Sequence, residues 1–213
     1  MPVRKIPPSR RAITGHLAAL KSVGPAEYES ALERDVLITL EADPNVVSYE
    51  VQPLRLIYRD QSGRSRQYTP DVLVWRRKGV TELCEVKYTS DIRELRAQHR
   101  ERWIVAARHA REQGWHFRLI TEHHARTART RNWLFLSAFR FMTVNPAQIL
   151  ALTMTLDTGP LSIAAWLERH PEPMAELLPC AWHLVCTGQV AVNLNEPLSL
   201  AAVVSRPVES PHA

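Results

Sequence analysis

The stretch Tyr68-Thr69-Pro70-Asp71-Val72-Leu73-Val74-Trp75, the turn Arg76-Arg77-Lys78-Gly79 and the stretch Thr81-Glu82-Leu83-Cys84-Glu85-Val86-Lys87 decide the fold. Both outer stretches are rich in β-branched, aliphatic and aromatic residues and read as strands over 66–75 and 81–88 joined by a tight turn. Residues two apart in a strand share a face, so Glu85 and Lys87 point one way and Cys84 and Val86 the other. An antiparallel hairpin sets Asp71 opposite 85–87, where facing Cβ atoms lie about 5 Å apart. Asp71 and Glu85 can then grip one cation, with the peptide carbonyl of Val86 as a further oxygen, because magnesium prefers an octahedron of oxygens. Manganese is expected to substitute.

Upstream, Pro25 suits a first helical turn, and Leu32, Val36, Leu37 and Leu40 recur at helical spacing over 26–41. Glu33 sits on the rim of that apolar face and is the third carboxylate; Glu29 replaces it if the helix is rotated. Asp43-Pro44 ends the helix. Strands follow at 46–51 and 54–58, and the turn Asp60-Gln61-Ser62-Gly63 leads into the quoted stretch. A long charged helix spans 91–113, capped at Ser90 or Asp91. A strand over 115–121 and a helix over 130–142 complete a mixed sheet flanked by helices, an α/β domain.

The chemistry explains why a cation is invoked. Phosphodiester cleavage at useful rates needs on the order of 20 kcal/mol of barrier reduction. One placed acid or base gives only about 10²- to 10⁴-fold. A cation bound at the reacting oxygens makes up much of the rest. Lys87 either orients or deprotonates the attacking water or neutralises charge developing on the phosphate. The bland alternative is a hairpin with an exposed Glu85–Lys87 pair, worth about 0–1 kcal/mol.

Charge divides the chain. Residues 145–213 hold two strong bases, Arg169 and Arg206, against six acids, a net of −4 that leaves +9 for residues 1–144 of the formal +5 overall. A polyanion as partner of the first part fits this split, as do two solvated surfaces of opposite sign. Residues 1–24 read as a basic arm in which Arg4, Lys5, Arg10 and Arg11 could touch phosphates. Three cysteines fit no zinc spacing, and no apolar stretch approaches membrane-helix length, so a cytosolic protein with reduced thiols is expected. His123-His124 opens a basic segment, Arg126 to Arg131, that could meet DNA.

Asn145-Pro146 marks the expected boundary between a domain of residues 25–144 and a domain of residues 145–213. Beyond it, helices over 146–156, 161–170 and 173–186 precede strands over 188–194 and 198–205, a winged-helix pattern. Its third helix carries Glu176, with Glu172 just before it, and neither Lys nor Arg, which suits docking to a protein better than reading a groove.

From about residue 25 to 143 the chain resembles TnsA, the endonuclease subunit of heteromeric cut-and-paste transposases. The resemblance lies in Tyr28-Glu29-Ser30-Ala31-Leu32-Glu33-Arg34-Asp35, Tyr49-Glu50-Val51-Gln52-Pro53, Tyr68 to Val74, and Glu85-Val86-Lys87. It implies a restriction-endonuclease-like core with catalytic Glu33, Asp71 and Lys87. Glu85 stands where the best-known member carries glutamine, which should strengthen cation binding. The resemblance also implies cleavage of the 5′ strands at transposon ends in double-stranded DNA. It implies two partners: a DDE transposase subunit (TnsB-like) that cuts the 3′ strands, and a AAA+ ATPase regulator (TnsC-like) engaged by residues 145–213. Gln52 matches a glutamine recurring in the family; it lines the cleft as a candidate nucleic-acid contact or is a buried amide bonded to backbone. Lys78, Arg93, Arg96 and Arg100 are candidate phosphate contacts. The competing readings are a stand-alone restriction or repair nuclease and a non-catalytic DNA-binding adaptor on a degenerate nuclease fold.

Overall fold

A computed structural model describes residues 13–207, apart from the side chains of Gln98 and His99. The chain divides into two compact units, one ending at Arg126 and the other beginning at Thr127. In chain order the first holds strands β1 (Gly15–Leu17) and β2 (Ala26–Tyr28) and helix α1 (Ala31–Ala42). Strands β3 (Val46–Val51), β4 (Leu56–Arg59), β5 (Ser65–Tyr68), β6 (Val72–Arg76) and β7 (Glu82–Val86) follow. Helix α2 (Thr89–Glu112), strand β8 (His116–Ile120) and the short helix α3 (Glu122–Ala125) close the unit.

Strands β3, β6, β7 and β8 form one mixed sheet in that order, antiparallel except for the parallel β7–β8 pair. Alternation along its central strands sorts side chains between two layers. Val72, Val74, Cys84 and Val86 pack with Leu32, Val36, Leu37 and Leu40 of α1. Leu73 and Leu83, one residue out of phase, pack with Trp103, Ala106 and Ala110 of α2. The sheet is thus covered by a helix on each face, the expected α/β arrangement.

Several elements differ from expectation. The strand over 66–75 is two strands interrupted at Thr69-Pro70-Asp71: β5 pairs with β4 in a separate hairpin, while β6 joins the main sheet. Pro70 has no N–H to give to a ladder, so the strand breaks there. Helix α1 starts five residues later than read, at Ala31, because Ser30 caps it. The Ser30 hydroxyl accepts the Glu33 N–H at 3.1 Å, and the Glu33 carboxylate accepts the Ser30 hydroxyl at 3.0 Å and the Glu29 N–H at 2.7 Å. Residues 26–28 are instead strand β2, paired with β1.

Residues 13–24 are therefore packed chain and not an arm; Arg4, Lys5, Arg10 and Arg11 lie outside the described residues. What holds this segment is Glu41, only 4% exposed. Its carboxylate accepts the N–H groups of Leu20 and Lys21 at 3.2 and 3.0 Å and the Tyr49 hydroxyl at 3.1 Å. Lys21 Nζ in turn donates to the carbonyls of Leu40 and Asp43, at the carboxyl end of α1 where a cation suits the helix dipole.

The second unit holds α4 (Ala128–Ser137), α5 (Pro146–Thr155), a 3₁₀ turn (Leu156–Thr158), β9 (Leu161–Ser162), α6 (Ile163–Leu167), α7 (Met174–Cys186), β10 (Ala191–Val192) and β11 (Val203–Ser205). The strands form an antiparallel sheet in the order β10-β11-β9, one strand more than expected. Trp166, Leu177 and Leu184 centre its core, and Trp166 Nε1 donates to the Leu152 carbonyl at 2.9 Å. The division falls well before Asn145-Pro146 because α4 packs with this core. Leu136 is buried in it, and the Asn132 amide donates to the carbonyls of Leu194 and Glu196. All three cysteines are free and buried, and among the described residues no helix is long and apolar enough to cross a membrane.

Glu41→Ala strands three donors and should lower the unfolding free energy by about 3 kcal/mol, whereas Tyr49→Phe should cost about 1 kcal/mol. Urea unfolding followed by circular dichroism checks both; equal losses would contradict the role given to Glu41.

Candidate functional site

The hairpin register decides the site. Val72 lies across from Cys84, so Asp71, just before β6, falls across from Glu85, and the Asp71 N–H donates to the Cys84 carbonyl at 3.1 Å. Lys87 closes the group. Its Nζ lies 3.3 Å from Asp71 Oδ2, 3.0 Å from Glu85 Oε1 and 2.8 Å from the Val86 carbonyl. Of the four oxygen donors expected for a divalent cation, those of Asp71, Glu85 and Val86 bond the protein's own ammonium; Glu33, the fourth, bonds Ser30 and the Glu29 N–H. Asp71 Oδ2 also accepts the Val86 N–H at 2.6 Å.

Glu85 is 2% exposed and held on every side. The Tyr68 hydroxyl donates to Glu85 Oε2 at 2.5 Å, and a terminal nitrogen of Arg102 lies 3.6 Å from Oε1. The Arg102 guanidinium in turn sits over the Tyr68 ring, 5.5 Å from its centre. Neither Tyr68 nor Arg102 entered the sequence reading as a site residue. Arg102 had a visible signal: it stands seven residues after Leu95 on the apolar side of α2, where a charge requires a buried partner.

Asp71 borders two cavities of opposite character. On one side Glu27, Glu33, Gln52 and Val86 line a space of about 10 Å³, room for one ion or water. On the other, Arg55, Gln67, Tyr68, Glu85, Lys87 and Arg102 line a space of about 360 Å³. Glu33 and Glu85 thus face different cavities, and Asp71 is what they share. Among the described residues no three His, Cys, Asp or Glu side chains converge closely enough to hold a metal ion by themselves. The single trio of Glu33, Asp71 and Glu85 expected from the sequence is therefore replaced by two pairs. The acidic cavity still fits a cation, because two residues of its lining, Glu27 and Gln52, each carry an oxygen, Oε2 and Oε1, that is buried without any hydrogen-bond partner.

The electrostatics follow from this crowding. Burial first, and then the charge of Glu85, push Asp71 up to about 7; Lys87 and the Val86 N–H pull the other way, and Glu33 adds to the rise. For Lys87, burial opposes the charge, but Asp71 and Glu85 outweigh it and raise its proton affinity above the ordinary lysine value. Burial, with Glu85 beside it, drives Tyr68 upward, so its hydroxyl remains a donor.

The remaining candidates lie apart from Asp71. Arg93, Arg96 and Arg100 line a separate open groove of about 1000 Å³ with Trp103, Ile104, Phe117 and Arg118. Lys78 is exposed on the β6–β7 turn, its main chain bonded to the Asn45 side chain. Glu29 accepts the Gln52 amide at 3.3 Å. His124 caps α3 by accepting the Thr121 N–H, and Arg126 bonds Asp35 and the Tyr88 hydroxyl.

Folding binds a proton at Asp71 more tightly than the unfolded chain does. The stability this contributes is complete below pH 3.8 and is lost as pH rises through about 7. A carbon-13 NMR titration of the Asp71 carboxyl should show a midpoint near 7. A midpoint near 4 would mean that the Lys87 pairing dominates burial.

Residues 43–122 match a family model described as TnsA-like endonuclease N terminal. The match includes Gln52, Asp71, Glu85 and Lys87, and Glu33 lies upstream of it. Comparison with curated proteins finds no match. The stretch that builds the Asp71–Lys87 site is therefore similar to the N-terminal domain of TnsA-like endonucleases.

Proposed function

We propose that the chain is a metal-dependent DNA endonuclease subunit that hydrolyses the 5′ strands at transposon ends, working beside a TnsB-like DDE transposase subunit. The observation that carries this reading is the position of Asp71 between a cavity of unpartnered oxygens and a cavity of cationic side chains. Asp71 and Glu33 would hold magnesium, or manganese in its place, on the oxygen side. Such an ion, when bound, supplies a Lewis acid that lowers the proton affinity of water and offsets phosphate charge.

The protein's own groups do the rest. Arg55, Lys87 and Arg102 receive the scissile phosphate; Arg102 Nε is buried without a hydrogen-bond partner, and a planar guanidinium suits phosphate oxygens. The raised proton affinity of Lys87 keeps it an ammonium near neutral pH, so it stabilises charge on the phosphate and does not take a proton from water. Glu85, held by Tyr68, is a positioning residue for that ammonium. Because Glu85 and the Val86 carbonyl already bond Lys87, they hold the lysine in this reading and not the ion. In the reaction the water oxygen bonds to phosphorus, the bond to the leaving sugar oxygen breaks, and the proton lost by water is balanced by one gained on that oxygen. Arg93, Arg96, Arg100 and Arg118 line a groove suited to flanking DNA backbone, a contact that weakens with salt.

The second unit runs helix, strand, helix, helix, strand, strand from α5 to β11, with β11 between the other two strands, which supports a winged-helix reading. Its α7 buries seven side chains and carries no Lys or Arg, so we assign this unit to a protein partner, the TnsC-like AAA+ ATPase regulator, and not to DNA. The chain would act at the bacterial nucleoid.

Supercoiled plasmid carrying transposon ends, incubated with magnesium and the transposase partner, should be nicked at the 5′ strands. Asp71→Ala should abolish nicking with partner binding intact, and Lys87→Ala should lower the rate by about 10²- to 10³-fold. Equal nicking by Asp71→Ala and the parent would refute the site. Removing residues 127–213 should weaken capture of the ATPase in a pull-down and spare manganese binding; unchanged capture would refute the docking assignment.

A further inference from the structure

Gln52 has three features that a contact to nucleic acid does not explain. Its φ is +48°, a positive value otherwise found only at glycines among the described residues. Backbone in that region persists where the surroundings enforce it, commonly at functional sites. Its N–H donates to the Asp71 carbonyl at 2.9 Å, which ties the strained residue to the main chain of the central carboxylate. Its side-chain Nε2 donates to Glu29 Oε1 at 3.3 Å.

That last bond fixes the amide. Only the NH₂ group can donate to a carboxylate, so Oε1 must take the other position. There it is buried without a hydrogen-bond partner, and Gln52 lines the small acidic cavity shared with Glu33 and Asp71. A second oxygen of the same lining, Glu27 Oε2, is buried and unpartnered too. Two acceptors without a donor, beside two further carboxylates, suit an occupant that presents positive charge to them, a cation or the hydrogens of a water that it displaces. No Lys, Arg or His lines this cavity, so a phosphate would meet only negative groups and dipole oxygens there.

We propose that Gln52 is a ligand of the divalent cation, contributing its neutral amide oxygen beside Asp71 and Glu33, and is not a nucleic-acid contact. The proposal deepens the nuclease reading above and rests on it. A neutral oxygen completes what the carboxylates alone do not, and it does so without a further like charge next to Asp71. Gln52 is strapped to Asp71 by main chain and to Glu29 by side chain, so the donor is set before the ion arrives.

Manganese titration of the full chain, read by electron paramagnetic resonance of the free ion, tests this without relying on cleavage. Gln52→Met keeps the length and removes the oxygen; it should raise the manganese Kd at least tenfold while metal-free thermal unfolding stays within a few degrees of the parent. Gln52→Glu restores an oxygen and should bind manganese at least as tightly as the parent, and it decides the matter if Gln52→Met does not fold. Parental affinity in a folded Gln52→Met, or a tenfold loss in a folded Gln52→Glu, would overturn the assignment of Gln52 and leave the metal reading standing. A parent chain that binds no manganese would overturn both.

Discussion

A single ammonium organises this site. Lys87 Nζ bonds Asp71, Glu85 and the Val86 carbonyl together, and in doing so offsets the repulsion between two carboxylates brought face to face by a strand register. Without it the hairpin would place two negative charges opposite each other in a largely buried setting. Removing one partner of such a group costs far more than the group contributes as a whole, because the charges left behind stay buried. In the proposed reaction Lys87 would therefore serve the fold and the chemistry at once, its high proton affinity suiting it to stabilising charge on a phosphate.

The break at Pro70 is the second constraint. Had 66–75 run on as one strand, Tyr68 would have stayed in the ladder beside Asp71. The proline instead releases β5 to pair with β4, and Tyr68 meets Glu85 from that hairpin. Alternation along β6 and β7 then separates the two helix-facing layers, with α1 supplying Glu33 and α2 supplying Arg102. Asp71 stands where the layers meet, which is why an oxygen-lined cavity and a cation-lined cavity share it.

Much of this was legible in the sequence. The tight turn at 77–79 implied an antiparallel hairpin, and the hairpin implied that Asp71 faces Glu85. Helical spacing placed Glu33 near the sheet edge, and period two predicted that Val86 and Lys87 face opposite ways. The capping box Ser30-Ala31-Leu32-Glu33 was also readable and would have moved the start of α1 to Ala31. Less legible was what depends on distant partners. Glu41 looks like an ordinary polar helix residue, yet it anchors residues 20 and 21 through their N–H groups. Asn132 belongs to the second unit through bonds to Leu194 and Glu196, far along the chain, and Leu136 through burial in that unit's core, which no local boundary signal reports. A one-dimensional reading also could not tell that the side chain of Lys87 turns back onto the Val86 carbonyl.

The central claim is that the cation and the phosphate occupy opposite sides of Asp71. Anomalous diffraction from a crystal of the full chain soaked in manganese tests it most directly. The account predicts a peak between Glu33, Asp71 and Gln52, with Lys87 still bonded to Glu85. A peak between Glu85 and the Val86 carbonyl, with the lysine displaced, would contradict it.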